Sequence, residues 1–302
     1  MIYYLCLDDN TPSGGRRILY RHVDILNANG IEAAIGHQSD VRLTWFENQT
    51  RVENITGLAF GDTDVLVIPE TWGPNLHTIA PDMPFVIFNQ NAYYTWNGYT
   101  MREAETPYQS ENLLGVMVVS DDSRDYLRYA FPHLEPYRIH NSIAPIFRYQ
   151  SAKDQRIACM PRKHADELCQ VLNLCKWRGE LAGWTVDLID NATQEDVARR
   201  LRRAAVFLST GYPEGSPMPP LEALASGCVV VGYLGKGGNE YTDLGCIIPV
   251  DDSDVIGLAG SLAWTLAHLT QYDTEAASKA ALERYSAERE TADVLGFWEK
   301  TL

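Results

Sequence analysis

Glu214 and Glu222 stand eight positions apart in the stretch 206–231, which reads VFLSTGYPEGSPMPPLEALASGCVVV. Carboxylates accept hydrogen bonds from hydroxyls, so a pair of them at one loop-to-helix junction suits a polyhydroxyl ligand such as a ribose or a sugar. The residues around them say how they are held. Residues 206–208 are an apolar run long enough for a buried strand. Gly211, Pro213, Gly215, Ser216 and Pro217 make a turn-rich loop. Residues 219–226 read as a short helix with proline in its first turn, stopped by Gly227. Residues 228–231 are a second buried strand. Strand, loop, helix and strand form a βαβ crossover of a parallel sheet. A loop of that kind, at the carboxyl end of the strands, is where α/β proteins bind ligands. The helix amino terminus beside it offers N–H groups and a positive dipole end to a phosphate.

The run E-G-x-x-x-x-P-L-E-A-L-A-S-G-x-V-V-V resembles the EX7E signature of retaining glycosyltransferases of the GT-B fold, the family 4 group. The resemblance implies that Glu222 holds the ribose of a nucleotide diphosphate sugar and that Glu214 acts near the transferred sugar. It implies donor contacts from Gly215, Ser216, Met218, Pro219 and Leu221. In that family an Arg and a Lys after the first strand of the second domain bind the donor diphosphate. Arg162 and Lys163 match in type, although they are adjacent where the family spaces them. Two cations suit a diphosphate that gains charge as it departs, and cations are locally unfavourable where a helix begins.

The same resemblance covers the first half more loosely. Gly14 and Gly15 match a Gly-Gly that lets backbone approach the donor phosphate or the acceptor. They are not part of a G-x-G-x-x-G run, so a dinucleotide reading is weak. Asn89, Gln90 and Asn91, with Tyr93, fall where the family often places a histidine near the sugar. Amides bind hydroxyls and cannot act as a general base, so these residues are expected to orient the sugar or the acceptor. Asn141 matches the segment that precedes the interdomain linker. His22, on the apolar stripe of the first helix, reads as a packed histidine.

Composition narrows the field. The 302-residue chain is 45% hydrophobic, enough for two cores. Its formal net charge of −15 argues against nucleic acid or an anionic membrane as a partner. The six cysteines form no CxxC pair and are expected to be reduced core residues of a cytoplasmic protein. No apolar run is long enough for a membrane span, and the first residues lack the basic region of a signal peptide.

The elements that must position these residues are read from periodicity. Apolar strands end in polar loops at 65–68, 85–89 and 116–120, after an opening βαβ with a helix over 16–29. The expected organisation is α/β, with two Rossmann-like domains facing across a cleft. Residues 1–145 would bind the acceptor and 146–285 the nucleotide sugar, with 286–302 crossing back to the first domain. A helix is expected over 163–175. The loop 235–241, GKGGNEY, reads as a flexible cover for a ligand. The implied function is transfer of a glycosyl group with retained configuration, by same-face displacement, to a glycan, lipid-linked or small-molecule hydroxyl. No cofactor and no metal is expected, and no stable membrane insertion. The rival readings are a catalytically silent sugar-nucleotide-binding module and a GT-B epimerase or phosphorylase.

Overall fold

A computed structural model of the chain describes residues 1–78, 82–103 and 105–302. It divides into two compact units: Met1–Asn141 with Glu288–Leu302, and Ser142–Ala287. The sequence reading placed these boundaries at 145/146 and 285/286.

The first unit is built on a parallel sheet of β1 (Ile2–Leu5), β2 (Ala33–His37), β3 (Val52–Asn54), β4 (Val65–Pro69), β5 (Phe85–Asn89), β6 (Leu113–Val118) and β7 (Tyr137–Arg138). The order is β3-β2-β1-β4-β5-β6-β7. Strands β1, β2, β4 and β5 are buried along their whole length, as helices and loops cover both faces of a parallel sheet. Helix α1 (Gly14–Ala28) follows β1, and α2 (Asp121–Ala130) follows β6. The two short strands β3 and β7 were not anticipated; three and two residues carry too little alternation to read.

The second unit repeats the scheme with five strands. These are β8 (Asp154–Cys159), β9 (Thr185–Leu188), β10 (Ala204–Ser209), β11 (Val229–Gly232) and β12 (Ile247–Pro249), in the order β12-β11-β10-β8-β9. Helices α3 (Ala165–Trp177), α4 (Gln194–Arg203), α5 (Met218–Ala225), α6 (Val255–Ala267) and α7 (Thr274–Arg284) connect and cover them. Helix α3 begins two residues later than expected, so Arg162 and Lys163 lie in the preceding loop. Of the cysteines, Cys6, Cys159, Cys175 and Cys228 are buried. Cys169 is a correction: it faces outward on α3, because Leu168, Val171 and Cys175 form the stripe that meets the sheet.

The C-terminal helix, Ala287–Thr301, belongs to the first unit from Glu288 onward. Trp298 is fully buried, and its Nε1 donates to the Tyr4 hydroxyl at 3.2 Å. Gly115 of β6 leaves room for the Phe297 ring, which a methyl group there would meet at 3.2 Å. Glu290, fully buried, pairs with Arg21 at 3.1 Å. Asp293 pairs with His140 at 2.6 Å. His22 lies in the same core, stacked on Phe88 with centroids 4.8 Å apart, and burial lowers its pKa to about 3, so it is neutral. Among the described residues no helix is long and apolar enough to cross a membrane.

Removing the Trp298 side chain should therefore cost about 3–5 kcal/mol, the usual range for emptying a large aromatic site. Urea unfolding followed by circular dichroism should show a clear fall in midpoint for Trp298→Ala. The exposed Lys279→Ala should stay within about 0.5 kcal/mol of the parent. Equal midpoints for the two variants would mean that the C-terminal helix contributes little to the first unit.

Candidate functional site

In the second unit, the loops that follow β8, β10 and β11 meet at the carboxyl edge of the sheet. Lys163 comes from the first of them and Glu214 from the second. The Lys163 ammonium lies 2.9 Å from Glu214 Oε1 and donates to the Pro213 carbonyl at 3.1 Å. Each side chain keeps 24% of its surface exposed, so the pair remains open to a ligand. Arg162 is exposed on the same loop and makes no ion pair among the described residues. Glu222, one turn into α5, is buried, as every other residue of that helix but Pro219 is.

Helix α5 starts at Met218, with Pro219 and Pro220 in its first turn. Prolines carry no N–H, and the Leu221 N–H closes the first turn onto the Pro217 carbonyl, so the free donor of this helix start is the Met218 N–H. The side chains of Met218 and Leu221 lie in the hydrophobic core of the unit. At Met218 the edge therefore presents a backbone N–H and not a side chain. No side chain caps this helix and no acidic residue stands in its first turn, so its positive end is uncompensated. Ser216 Oγ lies 2.9 Å from the buried Tyr241 hydroxyl, which ties the loop to the segment after β11.

That segment corrects one expectation. Residues 235–241 were read as a flexible cover; instead Gly237–Leu244 is a 3-10 helix packed against the Glu214 loop. Glu214 N donates to Gly235 O at 2.8 Å, and Gly237 N donates to Glu214 O at 3.1 Å. The approach is so close that a Cβ at residue 237 would lie 1.8 Å from Gly215 O. One at residue 235 would lie 2.6 Å from Glu214 Cβ. The glycines are there for contact, not for mobility. They brace the backbone that carries Glu214. Lys236, held at φ 71, pairs with Asp252 at 3.5 Å and adds a third cation at this edge.

In the first unit, Gly14 and Gly15 form the opening turn of α1, two residues earlier than expected. Ser13 precedes them without a side-chain capping bond. A side chain at residue 15 would meet the Gln90 amide at 3.1 Å, so glycine lets Gln90 lie against the helix start. Asn89 is fully buried; its amide donates to Thr95 Oγ1 at 2.9 Å and to the Tyr108 hydroxyl at 2.8 Å. It shapes the loop from within. Asn91 caps the turn Ala92–Tyr94 by accepting from Tyr93 N. The Tyr93 hydroxyl donates to Asp122 at 3.0 Å. Gln90 is thus the amide of the three that sits beside Gly15.

Glu70 was missed by sequence reasoning, since one glutamate after a strand looks like surface. It is 4% exposed and accepts from Gln90 N at 3.1 Å. Burial raises its pKa to about 7, against the lowering effect of the backbone N–H groups of Gln90, Glu70 and Asn91. Among the described residues, no group of three or more His, Cys, Asp or Glu side chains is close enough to hold a metal ion.

No family model matches the chain. A curated relative, an alpha-1,6-glucosyltransferase of Actinobacillus pleuropneumoniae serotype 7, is 28% identical over 263 residues, 83% of this chain and 76% of the relative. Solved structures cover nearly the whole chain. Sucrose-phosphate synthase from Thermosynechococcus elongatus has TM-score 0.72 at 11% identity, covering 99% of this chain and 98% of its own. HepE from Anabaena, in complex with UDP-glucose, has TM-score 0.69 at 14% identity and 99% coverage of both chains. WaaG, a glycosyltransferase of lipopolysaccharide biosynthesis, has TM-score 0.63 at 12% identity, covering 100% and 99%. The chain has the GT-B fold of these proteins, two α/β units each built on a parallel sheet.

Two measurements test this geometry. Gly237→Ala should destabilise the protein, because neither Gly215 O nor its backbone can withdraw cheaply. Gly260→Ala, with open space around it in α6, should instead stabilise by about 0.5–1 kcal/mol through helix propensity. The second test uses the raised pKa of Glu70. Its stabilising contribution is fully present below the unfolded value near 4.5 and is lost as pH rises through about 7. Glu70→Gln should therefore gain stability relative to the parent between pH 5 and pH 8. A difference that stays constant over that range would show that Glu70 does not titrate there.

Proposed function

We propose that this GT-B chain is a glycosyltransferase that takes a sugar from a nucleotide diphosphate donor bound by its second unit. One observation carries the reading. Lys163 and Glu214 lie 2.9 Å apart beside the uncompensated start of α5, so cation, carboxylate and helix dipole converge at one sheet edge. A diphosphate leaving group gains negative charge as the glycosidic bond breaks, and Lys163, Arg162 and the dipole are the groups that would offset it. Bound phosphate would draw Lys163 away from Glu214. The freed carboxylate would then face the sugar, where positive charge develops at the anomeric carbon. Glu222 would accept from the ribose hydroxyls. Gln90 and Tyr93 of the first unit are assigned to the acceptor.

The relative named as a glucosyltransferase, and the solved structure that holds UDP-glucose, favour UDP-glucose as the donor to try first. Transfer in this reading retains configuration, by displacement on the same face, with the departing phosphate taking the acceptor's proton. It needs no metal, since Lys163 and Arg162 supply the positive charge. The acceptor is a hydroxyl of a glycan, a lipid-linked sugar or a small molecule.

Melting curves with UDP, GDP, TDP, ADP and UDP-glucose test the donor. A ligand at about a hundred times its dissociation constant adds roughly 2.7 kcal/mol, which is a rise of about 5–11 °C for units of this size. One nucleotide should raise the parent and leave Glu222→Ala unmoved. Lys163→Ala should lower kcat/KM for UDP-sugar by about 10²–10³, the usual loss for one group that stabilises a developing charge. Addition of EDTA should leave the rate unchanged. No shift with any nucleotide would sink the transferase reading. A shift without turnover would favour a silent binding module.

A further inference from the structure

Directly behind the Lys163–Glu214 pair, the two loops that carry it are joined by stacked rings. His164 follows Lys163 and Tyr212 precedes Pro213 and Glu214. The imidazole and phenol planes lie 2° from parallel with centroids 3.8 Å apart. His164 Nε2 donates to the Tyr212 carbonyl at 2.8 Å. The Tyr212 hydroxyl donates to Glu167 Oε1 at 2.7 Å, and its ring meets the Tyr233 ring edge-on at 5.5 Å. Thr210 Oγ1 adds a bond to the Lys163 carbonyl at 3.2 Å. The rings thus belong to an assembly anchored on α3 through Glu167 and on Tyr233, the residue that follows β11.

His164 is in a conformation that its own sequence does not favour. Its φ is 51, in the left-handed region, and it stands at the amino-terminal cap of α3 without making a side-chain cap bond. Asn, Asp or Ser would suit that position better. A residue kept against its local preference is held by tertiary contacts, and such outliers cluster where geometry serves a ligand. Here the contacts are the ring stack and the Nε2 bond to the Tyr212 carbonyl, and the turn they enforce aims Lys163 across at Pro213 O and Glu214.

We propose that His164 and Tyr212 are positioning residues for the donor diphosphate: their stack sets the separation of the two loops and so holds the Lys163 ammonium where the phosphate oxygens arrive. The inference rests on the donor reading above. Neither ring needs to touch the ligand, so any effect on affinity passes through Lys163.

A double-mutant cycle on the full chain tests this. UDP affinity is measured by calorimetry for the parent, His164→Asn, Lys163→Ala and the double variant. Asparagine tolerates the left-handed backbone and removes the ring. His164→Asn should weaken UDP about tenfold in the parent, as expected for a lost stack of this kind, and less than about twofold when Lys163 is already alanine. Tyr212→Phe, which keeps the ring, should stay near the parent, and Tyr212→Leu should match His164→Asn. Equal losses with and without Lys163 would overturn the proposal, as would unchanged UDP affinity in His164→Asn and Tyr212→Leu. A parent that binds no nucleoside diphosphate would overturn the donor reading and this inference with it. Melting temperatures of all variants guard against unfolding, and the Tyr212 pair keeps the test decisive if His164→Asn does not fold.

Discussion

Strands β1, β4, β5 and β11 are buried from end to end, and a parallel sheet covered on both faces tolerates almost no polar side chain along its strands. Polar chemistry is therefore displaced to the ends of the strands. At the carboxyl ends the chain turns into loops and helix starts, where backbone N–H groups lack partners. Glu70, Gln90 and Gly15 meet at such an edge in the first unit. Lys163, Glu214 and the start of α5 meet at one in the second. Both sites are consequences of the same burial constraint.

Charge is organised on a smaller scale than the net value suggests. The chain carries −15 overall, yet Arg162, Lys163 and Lys236 gather at one sheet edge. A different arginine group, Arg156, Arg200 and Arg203, sits against Asp187 and Asp154. Hydrogen bonds from Arg200 lead the effects that hold the Asp187 carboxyl below its ordinary range. These pairs tie the edge strand β9 to β8 and α4, and each guanidinium is already matched to a carboxylate. Lys163 differs because its pair lies at the carboxyl edge, close in sequence to the start of α5.

Rigidity around Glu214 is steric. Gly235, Gly237 and Gly238 pack against Glu214, Gly215 and Pro217 at separations that exclude a side chain. The loop that carries the carboxylate is thus clamped from one side by glycine backbone and from the other by the His164–Tyr212 stack. A carboxylate placed this way reaches a ligand with little reorganisation, which is the condition under which charge stabilisation is strongest.

Periodicity and punctuation alone determined the α/β class and the strand–helix–strand unit at 206–231, and the resemblance of that unit to a known signature singled out Glu214, Glu222, Arg162 and Lys163. These signals are local: an apolar run, a proline in a first turn, a glycine after a helix. Tertiary structure decided what each residue is for. It put Asn89 inside the loop and Gln90 against Gly15, made Glu70 a buried group, and turned the Gly-Lys-Gly-Gly loop from a cover into a brace. Those outcomes depend on contacts between residues far apart in the chain, such as Gly237 with Gly215 or Gln90 with Gly15. A sequence pattern records which side chain is absent at a glycine, but only the folded backbone shows what occupies the space.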